Sequence, residues 1–177
     1  MVFDFIELVK SRQACRDFND LPLEKELVEK IVEVARLTPS ACNSQPWKMY
    51  CVTSDEKVEK VRDALTCDGR NLYLKKAKAF IVLGEKATTL KEDVLKKFSI
   101  DYFVKYDIGE LIAYITLTAK SLGVESLIVG WLDHEKLKKV IDFSEGEDCS
   151  IVIALGYSNS PLRDKNRRKE SEVIEFI

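Results

Sequence analysis

Ala79-Phe80-Ile81-Val82-Leu83-Gly84 is an apolar run with almost no polar interruption. A run this short, rich in β-branched and aromatic side chains, reads as a strand covered on both faces. Working toward the N-terminus, 55–65 reads as a helix and Trp47-Lys48-Met49-Tyr50-Cys51-Val52 as a second strand. Before them Leu23, Leu27, Ile31, Val34 and Leu37 recur at three- and four-residue steps with Glu and Lys between them. That spacing lays one apolar stripe along a helix over 23–37. Phe5, Leu8 and Val9 mark a short first helix. Toward the C-terminus, Leu127-Ile128-Val129-Gly130 and 149–156 read as further strands with a helix over 134–141 between them.

The segment 86–106 carries Lys and Asp with scattered Phe and Tyr on a weak helical period, and is read as a cover over a site. Asp107 is placed to cap a helix over 108–122 that is apolar on nearly every face, through Leu111, Ile112, Ala113, Ile115, Leu117 and Ala119. Such a helix is buried, either centrally in one chain or against a second copy. Four strands interleaved with helices give an α/β (α+β) sandwich, a sheet covered by helices. No repeat, low-complexity linker or composition break divides the chain, so one domain is expected over 1–177.

The chain has 177 residues, 33% of them charged, and a formal net charge of −2. This balance gives no overall attraction to nucleic acid or anionic membrane, so any basic site is local. Five cysteines (Cys15, Cys42, Cys51, Cys67, Cys149) are odd in number, widely spaced and without a Cys-x-x-Cys pair. They read as reduced thiols, which points to the cytoplasm. No stretch approaches the length of a membrane span, and the acidic residues within 1–7 are unlike a signal peptide.

Sites with chemistry of their own are scarce. No Gly-rich phosphate loop of the dinucleotide or P-loop kind occurs, which argues against both of those folds. The single histidine, His134, sits in the polar sequence Asp133-His134-Glu135-Lys136 and reads as exposed, which leaves Ser-His-Asp and zinc chemistry little support. The carboxylate pairs Glu24 with Glu26 and Glu145 with Glu147 are spaced for surface charge. Against this, Pro39-Ser40-Ala41-Cys42-Asn43-Ser44-Gln45-Pro46-Trp47 reads as a rigid binding loop. Two prolines fix backbone angles, while Ser40, Asn43, Ser44 and Gln45 offer groups that hydrogen-bond a polar ring system. Arg12 and Arg16 near one end, and Arg163, Lys165, Arg167, Arg168 and Lys169 near the other, are either solvated charge or two halves of a phosphate clamp. A binding loop without a nucleophile, metal cluster or acid/base pair invites a bound cofactor that carries the chemistry.

Four motifs resemble the FMN-dependent nitroreductase superfamily, in order and over nearly the whole chain. Arg12-Gln13-Ala14-Cys15-Arg16-Asp17-Phe18 is similar to that family's N-terminal Arg-Arg-Ser-x-Arg-x-Phe segment, with Ala14 in place of the serine. Residues 39–47 resemble its Pro-Ser-x-x-Asn-x-Gln-Pro-Trp loop, the most specific match. Asp107-x-Gly109 with Leu117, Ala119, Gly123 and Ser126 resembles its dimer helix, and Leu155-Gly156-Tyr157 followed by Lys165-x-Arg167 its closing motif.

The resemblance implies a nitroreductase-like sandwich with a central, mostly antiparallel sheet, a homodimer with FMN at the interface, and a tail from about 157 that packs on the partner subunit. Arg12, Gln13, Ala14, Arg16, Lys165 and Arg167 would then lie near the FMN phosphate and ribityl chain. Pro39, Ser40, Ala41 and Asn43 would contact flavin held mainly by the other subunit. Val129 and Gly130, continuing into Trp131, would bring backbone amides to the flavin ring, where a glycine permits close approach. Either Arg70 or Asn71 matches a further flavin contact. NADH or NADPH would donate hydride to the flavin, and a nitroaromatic, quinone or other small organic acceptor would receive electrons in a ping-pong cycle that needs no catalytic side chain. Phe98, Tyr102, Phe103 and Tyr106 are either pocket aromatics or core. The alternatives are a low-turnover FMN carrier or sensor and, least favoured, a nucleic-acid-binding domain using the basic tail.

Overall fold

The computed structural model describes residues 4–86, 92–99 and 102–177, so the expected cover over 86–106 lies partly outside the described residues. In chain order the elements are α1 (Phe5–Ser11), α2 (Lys25–Ala35), β1 (Trp47–Val52), α3 (Asp55–Leu65), β2 (Ala79–Glu85), α4 (Glu92–Leu95), α5 (Val104–Ser121), β3 (Glu125–Val129), α6 (His134–Lys138) and β4 (Asp148–Gly156). The four strands pair antiparallel throughout, in the order β1-β2-β4-β3.

The alternation of side chains across a strand sorts the core into two layers. On one face Phe80, Val82, Val152, Ala154, Leu127 and Val129 pack under α3 and α6, which contribute Val58, Val61, Leu65 and Leu137. On the other, Ile81, Leu83, Ile153 and Leu155 pack under α2 and α5, through Val28, Ile31, Ile108, Leu111 and Ile115. Every residue of β2 is buried, as its unbroken apolar run requires.

The expected 108–122 helix begins one turn earlier, at Val104, so Asp107 lies inside it and is no cap. Its carboxylate is buried, and Oδ1 accepts from the amide of Ala41 at 3.1 Å. A long-range partner overrides the local preference of Asp for a helix start. Nor is α5 buried all round: Ile108, Leu111, Ile115 and Ala119 face the sheet, while Gly109, Ala113 and Tyr114 are exposed in the single chain. The expected 134–141 helix stops at Lys138, and its start is capped by Asp133, whose Oδ1 accepts from Lys136 N at 3.0 Å.

Glu147 overturns its reading as surface charge, since its side chain is 1% exposed. It accepts from Tyr50 Oη and, at 2.8 Å, from Ser144 N, with Lys86 Nζ at 3.1 Å. Burial opposes its ionisation, but these donors outweigh that and hold its carboxyl below the ordinary range.

Candidate functional site

Both chain ends converge on the open edge of β3. After α1, Ala14 forms a parallel bridge with Ser126, and Cys15 N donates to Ser126 O at 2.9 Å. The chain leaving β4 returns along this segment, with Asn19 N bonded to Tyr157 O at 2.8 Å. Gly156 is required there, because a Cβ on it would meet the buried Phe18 ring at 2.8 Å. That contact explains a phenylalanine and a glycine at opposite ends of the sequence.

Side chains fasten the two ends together. Gln13 Nε2 donates to Pro161 O at 3.2 Å, and its Oε1 accepts from Arg163 N at 3.1 Å and Arg163 Nε at 3.3 Å. Arg163 Nη2 also donates to Ala14 O at 2.6 Å. Lys165 Nζ donates to Val9 O at 2.7 Å and Arg12 O at 3.0 Å, capping the carbonyl end of α1. Arg163 was not singled out by motif. The only signal for it was its place at the start of the basic run.

Arg12, Gln13, Ala14, Lys165 and Arg167 line one cavity of about 250 Å³ together with Arg163 and Asn166. Asp164 lines it too, but among the described residues it forms no ion pair with the four cations Arg12, Arg163, Lys165 and Arg167. Desolvation and then the charge of Arg167 push the Arg12 guanidinium downward, and desolvation, Arg167 and Arg12 do the same to Lys165. Crowded like charges of this kind are relieved by an anion. Such a centre suits a phosphate, which accepts bidentate bonds from guanidinium and a point charge from lysine.

Arg16 is exposed and falls in a neighbouring cavity of about 290 Å³, which shares Gln13, Ala14 and Arg163 with the first. Glu125 lines this second cavity and is ion-paired with Lys120. Arg16 therefore shares its cavity with Arg163 and the carboxylates Asp17 and Glu125, and one chain does not bring it into the cavity of Arg12, Lys165 and Arg167.

Arg12, Lys165 and Arg167, joined by Lys10, which is ion-paired with Glu7, also close one end of a groove of about 510 Å³. Val9 of α1, Ile128 of β3 and Gly109, Ile112, Ala113, Thr116 and Leu117 of α5 form the rest of it. An apolar trough with a cationic end has the form of a site for a flat ring carrying a phosphate.

The other expected contacts lie elsewhere. In the loop before β1, Ser40 Oγ accepts from Gln45 N at 2.9 Å and Gln45 Nε2 donates to Asn43 Oδ1 at 3.2 Å. Cys42, Asn43 and Gln45 all have positive φ, at 54°, 54° and 46°. The loop is tied through Ala41 to Asp107, and Pro39, Ser40, Ala41 and Asn43 line none of the three cavities. One chain thus leaves the loop apart from the cations. Val129 is buried and Gly130 exposed, immediately beyond β3. The amide of Asn71 is committed to the protein: Nδ2 donates to Leu65 O at 2.8 Å and Trp131 O at 3.0 Å, and Oδ1 accepts from Tyr73 Oη at 2.6 Å. Phe98, Tyr102, Phe103 and Tyr106 form a mutual aromatic cluster, with successive centroids about 5 Å apart, in which Tyr102 and Tyr106 are exposed.

His134 is half-exposed, with Asp148 Oδ1 at 3.7 Å. All five cysteines are free, and burial pushes the Cys149 thiol up to about 12, so it is inert at neutral pH. Among the described residues no group of His, Cys, Asp and Glu could hold a metal, and no helix is long and apolar enough to cross a membrane.

Comparison with known proteins identifies the family and the fold. The model of the nitroreductase family matches residues 9–104. A Streptococcus pyogenes protein provisionally named NAD(P)H nitroreductase is 46% identical over 199 aligned positions, which cover 97% of this chain and 98% of that protein. An Archaeoglobus fulgidus protein, provisionally named NADH dehydrogenase/NAD(P)H nitroreductase, is 29% identical over 156 residues, 86% of this chain and 84% of its own. A crystal structure from Exiguobacterium sibiricum, of a provisionally named nitroreductase in complex with FMN, matches with a TM-score of 0.83 at 16% identity. It covers 100% of this chain and 99% of that one, a likeness of fold.

Proposed function

The chain belongs to the nitroreductase family, and from that premise we propose that it is an FMN-dependent NAD(P)H oxidoreductase that reduces a small organic acceptor in a ping-pong cycle. The observation that carries this reading is the cavity where Arg12, Lys165 and Arg167 meet at the end of the apolar groove. A relative of the same fold is described in complex with FMN, and the donors present here fit that cofactor's phosphate.

Arg12 and Arg167 would hold the phosphate, with Arg16 and Lys165 adding charge, while Gln13 and Arg163 fix the segment that carries them. Ala14 contributes no hydroxyl, so the clamp leans on the arginines. The groove wall of Ile112, Leu117 and Ile128 would take apolar ring surface. Gly130 admits close approach of its backbone, and Asn71 acts through the Trp131 carbonyl it holds. When bound, the flavin supplies hydride and electron transfer, so the protein's part is position, charge and exclusion of water.

A homodimer completes this reading. Exposed Phe5 and Ile6 of α1, the open face of α5, and exposed Leu162, Val173, Ile174 and Phe176 of the tail form apolar surface for a second copy. Residues 39–43, remote from the cations in one chain, would then reach a flavin held by the partner. The acceptor class is a nitroaromatic, a quinone or a similar small molecule.

Protein purified with added FMN and mixed anaerobically with NADH, then NADPH, tests the reading. Rapid bleaching of the bound flavin is expected. Bound flavin that neither nucleotide reduces would favour a carrier or sensor, and no flavin binding would overturn both readings.

A further inference from the structure

Every non-glycine residue with positive φ, among the described residues, falls in one of two loops. Cys42, Asn43 and Gln45 occupy the first, and Asp68 and Asn71, with Gly69 between them, the second. A left-handed backbone costs a residue with a Cβ about 1–2 kcal/mol and persists where its surroundings over-determine it. The first loop belongs to the cofactor reading. The second has no part in it beyond Asn71.

In the second loop the strain is locked by hydrogen bonds. Asn71 Nδ2 bridges Leu65 O and Trp131 O, Tyr73 Oη holds Asn71 Oδ1, and Asp133 N donates to Ala64 O at 2.8 Å. This clasp joins the end of α3 to the segment just beyond β3. The neighbouring Arg70 lays its guanidinium over the Trp131 ring, 4.0 Å from the centroid. Both residues are exposed, Trp131 to 47%.

Stacking occupies a face of the guanidinium and leaves its N–H edges available. Among the described residues no carboxylate lies within ion-pair distance of Arg70, and no carbonyl accepts from its side chain. An exposed arginine normally sweeps many rotamers. This one is pre-set on an indole whose backbone is clamped, so it loses less entropy when it pairs with a planar oxyanion. Trp131 directly follows Gly130, the point where the proposed function brings the flavin ring.

We propose that Arg70, held on Trp131, is a specificity-determining residue that pairs bidentately with an oxyanion on the incoming substrate. The source is either the carboxylate of a flat aromatic acceptor or the ribose 2′-phosphate that distinguishes NADP+ from NAD+, and one chemistry serves both. The inference rests on the flavin lying beside Gly130. It narrows the ligands of that site to those carrying an oxyanion, on the aromatic acceptor or on the nicotinamide donor.

Titration calorimetry on the full-length protein, with and without FMN, separates these possibilities, using benzoate against benzamide and NADP+ against NAD+. In the wild type the member of one pair that carries the added oxyanion, benzoate or NADP+, binds about tenfold tighter or more, as one charge-assisted bidentate contact provides. Arg70→Gln brings that ratio close to one and leaves FMN affinity unchanged, and Arg70→Lys gives an intermediate ratio. The pair that responds identifies the source. Where the benzoate pair responds, turnover follows the same pattern, kcat/KM for 4-nitrobenzoate falling in Arg70→Gln while that for nitrobenzene holds. A structural role alone would lower both members of a pair together. Ratios equal in wild type and Arg70→Gln, or a parallel fall for both members, would overturn the proposal. Failure of the protein to bind FMN would instead sink the cofactor reading, and the titrations without FMN would still report on Arg70.

Discussion

Strand β2 and the loop before β1 touch, through a 3.0 Å bond from Lys86 N to Pro46 O, yet they are stabilised in opposite ways. β2 is buried along its whole length and hydrogen-bonded on both sides, to β1 and β4. Its energy comes from apolar area removed from water within one chain. The loop holds three left-handed residues, and Ser44 Oγ and Asp107 Oδ2 at its base are buried without a hydrogen-bond partner among the described residues. Strain and unpaired polar atoms concentrate where a structure is shaped for a ligand or a second chain. The same contrast separates the sheet from the cation cavity, where like charges are crowded together.

The comparison breaks most visibly if the sheet is weakened. Phe80→Ala removes a fully buried ring and should lower stability by about 3–5 kcal/mol, read from the denaturant midpoint. FMN affinity of the molecules still folded should hold. A loss below about 1 kcal/mol would show that the sheet is not where the stability resides.

Glu147, at the rim of the sheet, is the intermediate case. Glu147→Gln should cost about 1–3 kcal/mol at neutral pH, because Tyr50, Ser144 and Lys86 all address the charged form. Its carboxyl lies lower in the folded chain than in the unfolded one. Its contribution is therefore in place above the unfolded carboxylate range and is lost as pH falls through the folded value. Urea melts across the acid range should show a steeper decline for the wild type than for Glu147→Gln. Parallel declines would contradict the assignment.

The smallest effect sharpens the other side. Cys42 is exposed with φ 54°, so Cys42→Gly removes strain and no packing. Stability without FMN should rise by about 0.5–1 kcal/mol. A decrease would mean that the loop is not strained.

The elements resting on periodicity were legible. The run 47–52 and the stripe over 55–65 appear in the structure as β1 and α3 with the same bounds. Boundaries shifted where a distant partner decides them. Asp107 read locally as a cap but serves the amide of Ala41, and Glu147 read as surface charge but is enclosed by Tyr50, Ser144 and Lys86. Neither partnership leaves a trace in nearby spacing. In the candidate site, motif spacing brought Arg12, Gln13, Ala14, Lys165 and Arg167 to one cavity. Arg163 stands out in the sequence only as part of the basic run, because its bonds to Gln13 and the Ala14 carbonyl join residues about 150 apart along the chain. The clasp of Asn71 on Trp131 was equally hidden, since side-chain to backbone bonds across 60 residues have no sequence pattern.

The central claim, that the converged chain ends hold a phosphate, is tested most directly by comparing FMN with riboflavin, which lacks that group. Fluorescence quenching gives both dissociation constants for the wild type and for Arg12→Ala/Arg167→Ala. The account predicts that the wild type binds FMN about 100-fold tighter or more, as two charge-assisted contacts provide, and that the double variant binds the two ligands nearly alike with an unchanged melting temperature. Equal affinity for FMN and riboflavin in the wild type would contradict it.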